Sequence, residues 1–60
     1  MEAIKMFDYG VDWEVEISPD EIVEVIPTYD GHVLLVNTDG LYFEVDAEIW
    51  KATCESLYPA

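Results

Sequence analysis

The chain has 60 residues, of which 14 are Asp or Glu and only two are Lys or Arg, so its formal net charge is -12. An acidic balance this strong repels phosphate and anionic lipid, and it argues against direct binding to DNA, RNA or a membrane surface. Hydrophobic residues nevertheless make up 52% of the sequence. Disordered acidic tails lack such apolar content, so we expect a folded domain with a charged surface.

The small size of the chain predicts a marginal core and a need for further stabilisation. We expect one domain over residues 1–60, and a domain of this length buries only about 60% of its unfolded surface. Small folds often add a disulfide, a metal ion or a partner subunit. The single cysteine, Cys54, cannot close an intrachain disulfide, and with the single histidine, His32, it cannot form a zinc site of the usual kind. We therefore expect a homodimer.

The expected location is the cytoplasm. Residues 1–9 contain no continuous apolar stretch of the kind found in signal peptides. No run of the sequence approaches the roughly 18 apolar residues of a membrane span. A single thiol is also typical of a reducing compartment.

The first two predicted strands rest on alternation and a turn. Residues 3–9 mix apolar and charged side chains and end at Gly10, as a strand followed by a turn would. Residues 11–17 alternate strictly between apolar and acidic or polar side chains, the pattern of a half-buried strand. The side chains predicted to face the core are Val11, Trp13, Val15 and Ile17.

Residues 18–26 admit two interpretations. Ser18 followed by Pro19 and two acids is typical of a helix start. The next five residues are rich in β-branched side chains and are followed by Pro27. We favour one helical turn or a tight loop, followed by a strand over residues 22–26. A short helix that continues through Val25 is the alternative.

The C-terminal half predicts a hairpin and a helix. Turns are expected at Asp30-Gly31 and at residues 38–40. Between them, residues 32–37 are apolar on both faces and should form a central strand. A strand over residues 41–45 then leads to Asp46, the predicted cap of a helix over residues 47–57 that ends before Pro59. The predicted buried stripe of this helix is Ile49, Trp50, Thr53, Cys54 and Leu57.

These elements predict an α+β fold. We expect a strongly bent antiparallel sheet of about five strands with one C-terminal helix packed across it. The pattern leaves open whether the sheet closes into a small barrel.

No motif predicts catalysis, a cofactor or a metal ion. Nucleophilic catalysis needs a nucleophile, a base and an orienting group, whereas Cys54 falls on the buried stripe of the helix and His32 opens a central strand. Residues 37–40 partly match a calcium loop, but Leu35 stands where the pattern requires an acid. We therefore expect a protein that is not an enzyme.

The acidic residues fall into ordered rows. Asp12, Glu14 and Glu16 occupy every second position of a predicted strand and would lie about 6.5 to 7 Å apart. This spacing is close to that of successive phosphates along an extended nucleic-acid strand. The alternative is that these carboxylates form a solvated face that only keeps the protein soluble. Solubility alone, however, needs a net charge of only about 2 to 8 in magnitude. The predicted partner-binding residues are Asp12, Glu14, Glu16, Asp20, Glu21 and Glu24, with Asp39 and Glu44 as a second row.

Three resemblances follow from these residues. The segment from residue 21 to residue 45 is similar to the strand-turn-strand rhythm of LytTR-type DNA-binding domains, and the final strand and helix resemble the carbon storage regulator family of RNA-binding dimers. Both families read nucleic acid with basic side chains, whereas this chain has only Lys5 and Lys51, so their functional residues cannot be carried over. In length, charge and ordered carboxylates, the whole chain resembles small acidic nucleic-acid mimics, often phage-encoded, that inhibit restriction, CRISPR, repair or chromatin proteins.

The last resemblance implies a stoichiometric inhibitor that occupies a basic nucleic-acid-binding surface of another protein. Such an inhibitor would be of the phage anti-defence or host-takeover type and would act in the host cytoplasm. Tyr9, Tyr29 and Tyr42 are candidates for additional contacts where bases would stack. The alternative is a small acidic protein-protein interaction module, such as an adaptor, an antitoxin-like protein or a regulatory subunit, without nucleic-acid mimicry.

Overall fold

The computed structural model describes residues 3–57 and has the predicted α+β architecture. Its strands pair in antiparallel fashion throughout, and the helix follows the last strand. The elements in chain order are β1 (Ile4–Asp8), β2 (Trp13–Ile17), a 3₁₀ helix (Pro19–Glu21), β3 (Ile22–Pro27), β4 (His32–Asn37), β5 (Tyr42–Asp46) and α1 (Ala47–Leu57).

The strands form two sheets, which corrects the expectation of one bent sheet. β1 and β2 form a hairpin, and β3, β4 and β5 form a three-stranded sheet in that order. The two sheets meet where the Tyr9 N–H donates to the Glu44 carbonyl oxygen at 2.8 Å. Because this junction is not extended into a ladder, and β2 and β3 remain edge strands, residues 3–57 do not form a closed barrel.

The turn-then-strand interpretation of residues 18–26 is confirmed. Pro19–Glu21 forms one 3₁₀ turn, and β3 starts directly at Ile22. The alternative of a helix through Val25 is wrong, because this β-branched segment instead pairs with β4. The ladder contains a register shift between Ile22 and Glu24.

The predicted turns on either side of β4 are also confirmed. Gly31 has φ 77° and Gly40 has φ 80°, a backbone region that favours glycine. The two turns place β4 between β3 and β5. The prediction that residues 32–37 form the central strand is therefore correct.

The core lies between the inner faces of the two sheets and α1. Its buried side chains are Met6, Ile17, Val33, Leu35, Val45 and Trp50. Asp46 caps α1 as predicted, since its Oδ1 accepts hydrogen bonds from the N–H groups of Glu48 at 2.9 Å and Ile49 at 3.1 Å. The expected stop at Pro59 lies outside the described residues.

Two of the predicted core faces are shorter than the patterns suggested. Trp13 is 73% exposed and Val11 is 61% exposed, because β2 begins only at Trp13 and its turn-proximal end extends past the core. On α1, Ile49 and Leu57 are exposed, whereas Trp50 is buried and Cys54 packs against the core. The expectation that Trp13, Val11, Ile49 and Leu57 are buried is therefore wrong.

Candidate functional site: the outer face

The side of the three-stranded sheet opposite the core carries a distinct set of side chains. Val33, Leu35 and Val45 are buried in the core, so their neighbours along each strand project to the other side, which we call the outer face. The strand register assigns the following residues to it: Glu24, Ile26, His32, Leu34, Val36, Tyr42, Glu44 and Asp46.

The centre of the outer face is apolar. Ile26 lies opposite Leu34, and Val36 lies opposite Tyr42; we call these four residues the apolar patch. The Tyr42 side chain is 63% exposed, and the other three are half-buried without belonging to the side chains that pack against the core. Glu24 and Glu44 border the patch, since they lie opposite Val36 and Leu34.

An aromatic and ionic cluster joins the outer face to the β1–β2 hairpin. The Tyr9 ring stacks on the His32 ring with centroids 4.0 Å apart and an interplanar angle of 11°. Phe7 packs edge-on against Tyr9 at 4.9 Å. The His32 Nδ1 and Glu44 Oε2 atoms are 2.9 Å apart. The outer face therefore continues across Tyr9 onto the side of the hairpin that carries Phe7 and Glu14, which are register partners.

Most of the predicted partner-binding carboxylates are exposed. Glu14 and Glu16 keep the two-residue spacing of a strand on the outward side of β2, and Glu24 lies on the outer face. Lys5 is the cross-strand partner of Glu16. The exposed predicted residues are Asp12, Glu14, Glu16, Asp20, Glu21, Glu24 and Asp39.

Two of these predicted residues do not lie in the rows that the sequence suggested. Asp12 belongs to the hairpin turn and has φ 57°, so the regular row on β2 contains Glu14 and Glu16 only. Glu44 is half-buried because its carboxylate is paired with His32. It therefore does not form an exposed row with Asp39, which lies in the β4–β5 turn.

Asp8 is an important site residue that the sequence analysis missed. Its side chain is buried, with 3% of the residue exposed. Oδ1 accepts hydrogen bonds from the Gly10 N–H at 2.8 Å and from the Glu44 N–H at 3.1 Å. These bonds join the hairpin to β5 and thereby place Tyr9 against His32. An acid followed by Tyr-Gly at a strand end is a signal for such a turn bond, but the contact with β5 has no local signal.

A groove of about 240 Å³ lies between the β1–β2 hairpin and the start of α1. It is smaller than the roughly 300 to 1,000 Å³ of typical small-molecule sites. The groove is lined by Lys5, Met6, Phe7, Tyr9, Glu14, Asp46 and Ile49.

The fold does not bring Cys54 and His32 together as a catalytic pair. Cys54 packs against the core from α1, whereas His32 projects to the outer face on the other side of β4. Burial raises the pKa of the Cys54 thiol, which favours the unreactive protonated form at neutral pH.

Two further observations concern the chain as a whole. Within residues 3–57, no helix has both the length and the apolar character needed to cross a membrane. Comparison of the chain with protein-family models, with curated proteins and with solved structures yields no match.

Proposed function

We propose that the protein binds a basic, nucleic-acid-binding surface of another protein through its outer face and thereby blocks that surface. The observation that carries this proposal is the shared location of exposed carboxylates and exposed aromatic rings. Carboxylates can pair with Arg and Lys in the way that phosphates do, and the rings can occupy positions where bases would stack. Binding is stoichiometric and involves no catalysis.

The charges of the proposed interface favour rapid association. A net charge of -12 creates a long-range field that speeds encounter with a basic surface and makes the affinity fall with salt. Glu14, Glu16 and Glu24 provide charge on the outward side of β2 and on the outer face. Asp12, Asp20, Glu21 and Asp39 extend this charge around them.

The apolar patch provides the apolar centre that a specific interface needs in addition to charge. Specific interfaces usually have an apolar centre and a polar rim, and here Leu34 and Tyr42 lie at the centre while Glu24 lies at the rim. Burial of the patch would add free energy of binding that does not depend on salt. The proposed partner is a nucleic-acid-binding enzyme or regulator of the cytoplasm.

A pull-down from a bacterial lysate tests this proposal. The lysate is divided into samples with and without nuclease, each at two salt concentrations. We expect capture of a protein that itself binds DNA or RNA, weaker capture at high salt, and displacement of that protein by added nucleic acid. Capture that nucleic acid does not displace would contradict mimicry.

The second candidate is an acidic interaction module that does not imitate nucleic acid. Two observations favour it: phosphate mimicry does not require the apolar patch, and the regular carboxylate row on β2 is shortened to Glu14 and Glu16. A partner that binds equally well with and without nucleic acid would support the module.

A further inference from the structure

Three side chains that can ligate a metal converge at one end of the outer face. Asp30, His32 and Glu44 each offer one ligand atom, and these atoms lie within 4.8 Å of one another. They come from the β3–β4 turn, the start of β4 and the middle of β5, so the tertiary fold assembles them. We propose that these residues bind a divalent transition-metal ion, independently of any protein partner.

The His32 and Glu44 ligand atoms are close enough to share one ion after a small separation. Zinc lies about 2.0 to 2.2 Å from nitrogen and oxygen ligands, so two neighbouring ligands of a tetrahedral ion lie roughly 3.3 to 3.6 Å apart. The His32 Nδ1 and Glu44 Oε2 atoms are 2.9 Å apart. A bound ion would replace the hydrogen bond between them: Nδ1 would become a ligand of the ion, and the neutral imidazole would carry its one proton on Nε2.

The positions of the imidazole and its backbone are fixed by contacts outside the site. Tyr9 stacks on the His32 ring at 4.0 Å and limits its rotation. The N–H and the hydroxyl group of Thr28 both donate to the His32 carbonyl oxygen, each at 3.0 Å. The site therefore needs little ordering of His32 when an ion binds.

Asp30 is the adjustable ligand. It lies in the turn that Gly31 closes with φ 77°, and the Gly31 carbonyl oxygen accepts a hydrogen bond from the Ala47 N–H at 3.0 Å. The backbone of the turn is thus tied to α1, while the Asp30 side chain is exposed. Its carboxylate already lies within 4.8 Å of the His32 and Glu44 ligand atoms.

The ligand set favours a transition metal over magnesium or calcium. Mg²⁺ and Ca²⁺ prefer oxygen ligands only, whereas imidazole suits zinc and its neighbours in the first transition row. Three protein ligands leave coordination positions for water. The acidic surface also raises the local concentration of cations, so the test must separate a specific site from diffuse attraction.

Isothermal titration with Zn²⁺ distinguishes a specific site from diffuse attraction, because only a specific site depends on the imidazole of His32. The His32→Gln variant removes the imidazole while it keeps an uncharged hydrogen-bonding side chain. We expect one strong equivalent of Zn²⁺ for the wild-type protein and a loss of affinity of more than about tenfold for His32→Gln. The His32 ring resonances in an NMR spectrum should shift on addition of Zn²⁺ and not on addition of Mg²⁺.

Asp30→Asn is the second variant, because Asp30 is exposed and its replacement leaves the fold intact even if His32→Gln unfolds. It should also weaken Zn²⁺ binding. The matched control is Asp39→Asn, which removes the same charge from another exposed turn and should leave the affinity unchanged. If Asp30→Asn and Asp39→Asn change the Zn²⁺ affinity equally, or if several Zn²⁺ ions bind weakly, the ions are held by the overall negative charge of the surface. The proposed site is then wrong.

Discussion

At the scale of single residues, Asp8 has the largest structural role for its size. It accepts two backbone hydrogen bonds in a buried position. Its effect reaches the outer face, since the same junction holds Tyr9 against His32. A single carboxylate thus connects the architecture to the proposed binding surface.

We predict that Asp8→Ala lowers the free energy of unfolding by about 1 to 3 kcal/mol, chiefly because the partly buried N–H of Glu44 loses its acceptor. Asp8→Asn keeps an acceptor oxygen and should be much less destabilising. Urea denaturation followed by circular dichroism measures both changes. Equal destabilisation by the two variants would contradict an acceptor role and would point to the charge of Asp8.

The two tryptophans should differ sharply in their contribution to stability. Trp50 is buried in the core, so Trp50→Ala should cost about 3 to 5 kcal/mol, enough to unfold a domain of this size. Trp13 is 73% exposed, so Trp13→Ala should change stability by no more than about 0.5 kcal/mol. Thermal unfolding of both variants checks this. Unfolding of Trp13→Ala would show that the hairpin packs more deeply than described.

At the scale of elements, local patterns predicted most strands and turns correctly. Gly31 and Gly40 marked turns because few other residues adopt positive φ readily. Asp46 marked the start of α1 because capping depends only on nearby residues. Alternation also identified which face of β2 meets the core, but not where the core ends along the strand. For this reason the exposure of Trp13 was not predictable.

The arrangement of the candidate site was harder to predict, because it depends on contacts between distant residues. The pairing of His32 with Glu44 follows from the register of β4 and β5. The junction of the two sheets depends on the bond between Asp8 and Glu44, which are 36 residues apart in the chain. The exposed position of Glu14 and Glu16, in contrast, followed directly from alternation.

The cap of α1 provides a test at this scale. Asp46→Ala removes the acceptor for the N–H groups of Glu48 and Ile49 and should cost about 0.5 to 2 kcal/mol. Asp46→Asn retains a good capping side chain and serves as the control. The measurement is the midpoint of thermal unfolding. No loss of stability in Asp46→Ala would mean that packing of Trp50 alone determines where the helix begins.

At the scale of the whole molecule, the core is small and the surface charge is large. Six apolar side chains form the buried core of the described residues, and repulsion among carboxylates opposes the compact state. Both features favour stabilisation by another molecule. Either a second copy of the chain, in the expected homodimer, or the proposed basic partner would stabilise the folded state in this way.

The homodimer remains a prediction with a direct test. Because association stabilises the folded state by mass action, the melting temperature should rise with protein concentration. Light scattering at tens of micromolar should report about twice the mass of one chain. A monomeric mass with a melting temperature that does not depend on concentration would rule out the dimer.

The most direct test of the proposed binding surface compares two double variants that remove the same charge from different elements of the fold. Glu14→Gln/Glu16→Gln neutralises the outward side of β2. Glu48→Gln/Glu55→Gln neutralises two exposed positions of α1, which packs on the core side of the sheet. Titration calorimetry at two salt concentrations measures the affinity of each variant for the captured nucleic-acid-binding partner.

We predict that Glu14→Gln/Glu16→Gln folds at least as well as the wild-type protein and weakens binding by about 1 to 3 kcal/mol for each lost contact that is desolvated in the complex. The α1 variant should bind almost as tightly as the wild-type protein. Equal weakening by both variants would mean that only the overall field matters. If neither variant binds more weakly, the acidic surface does not bind the partner, and the proposed function is wrong.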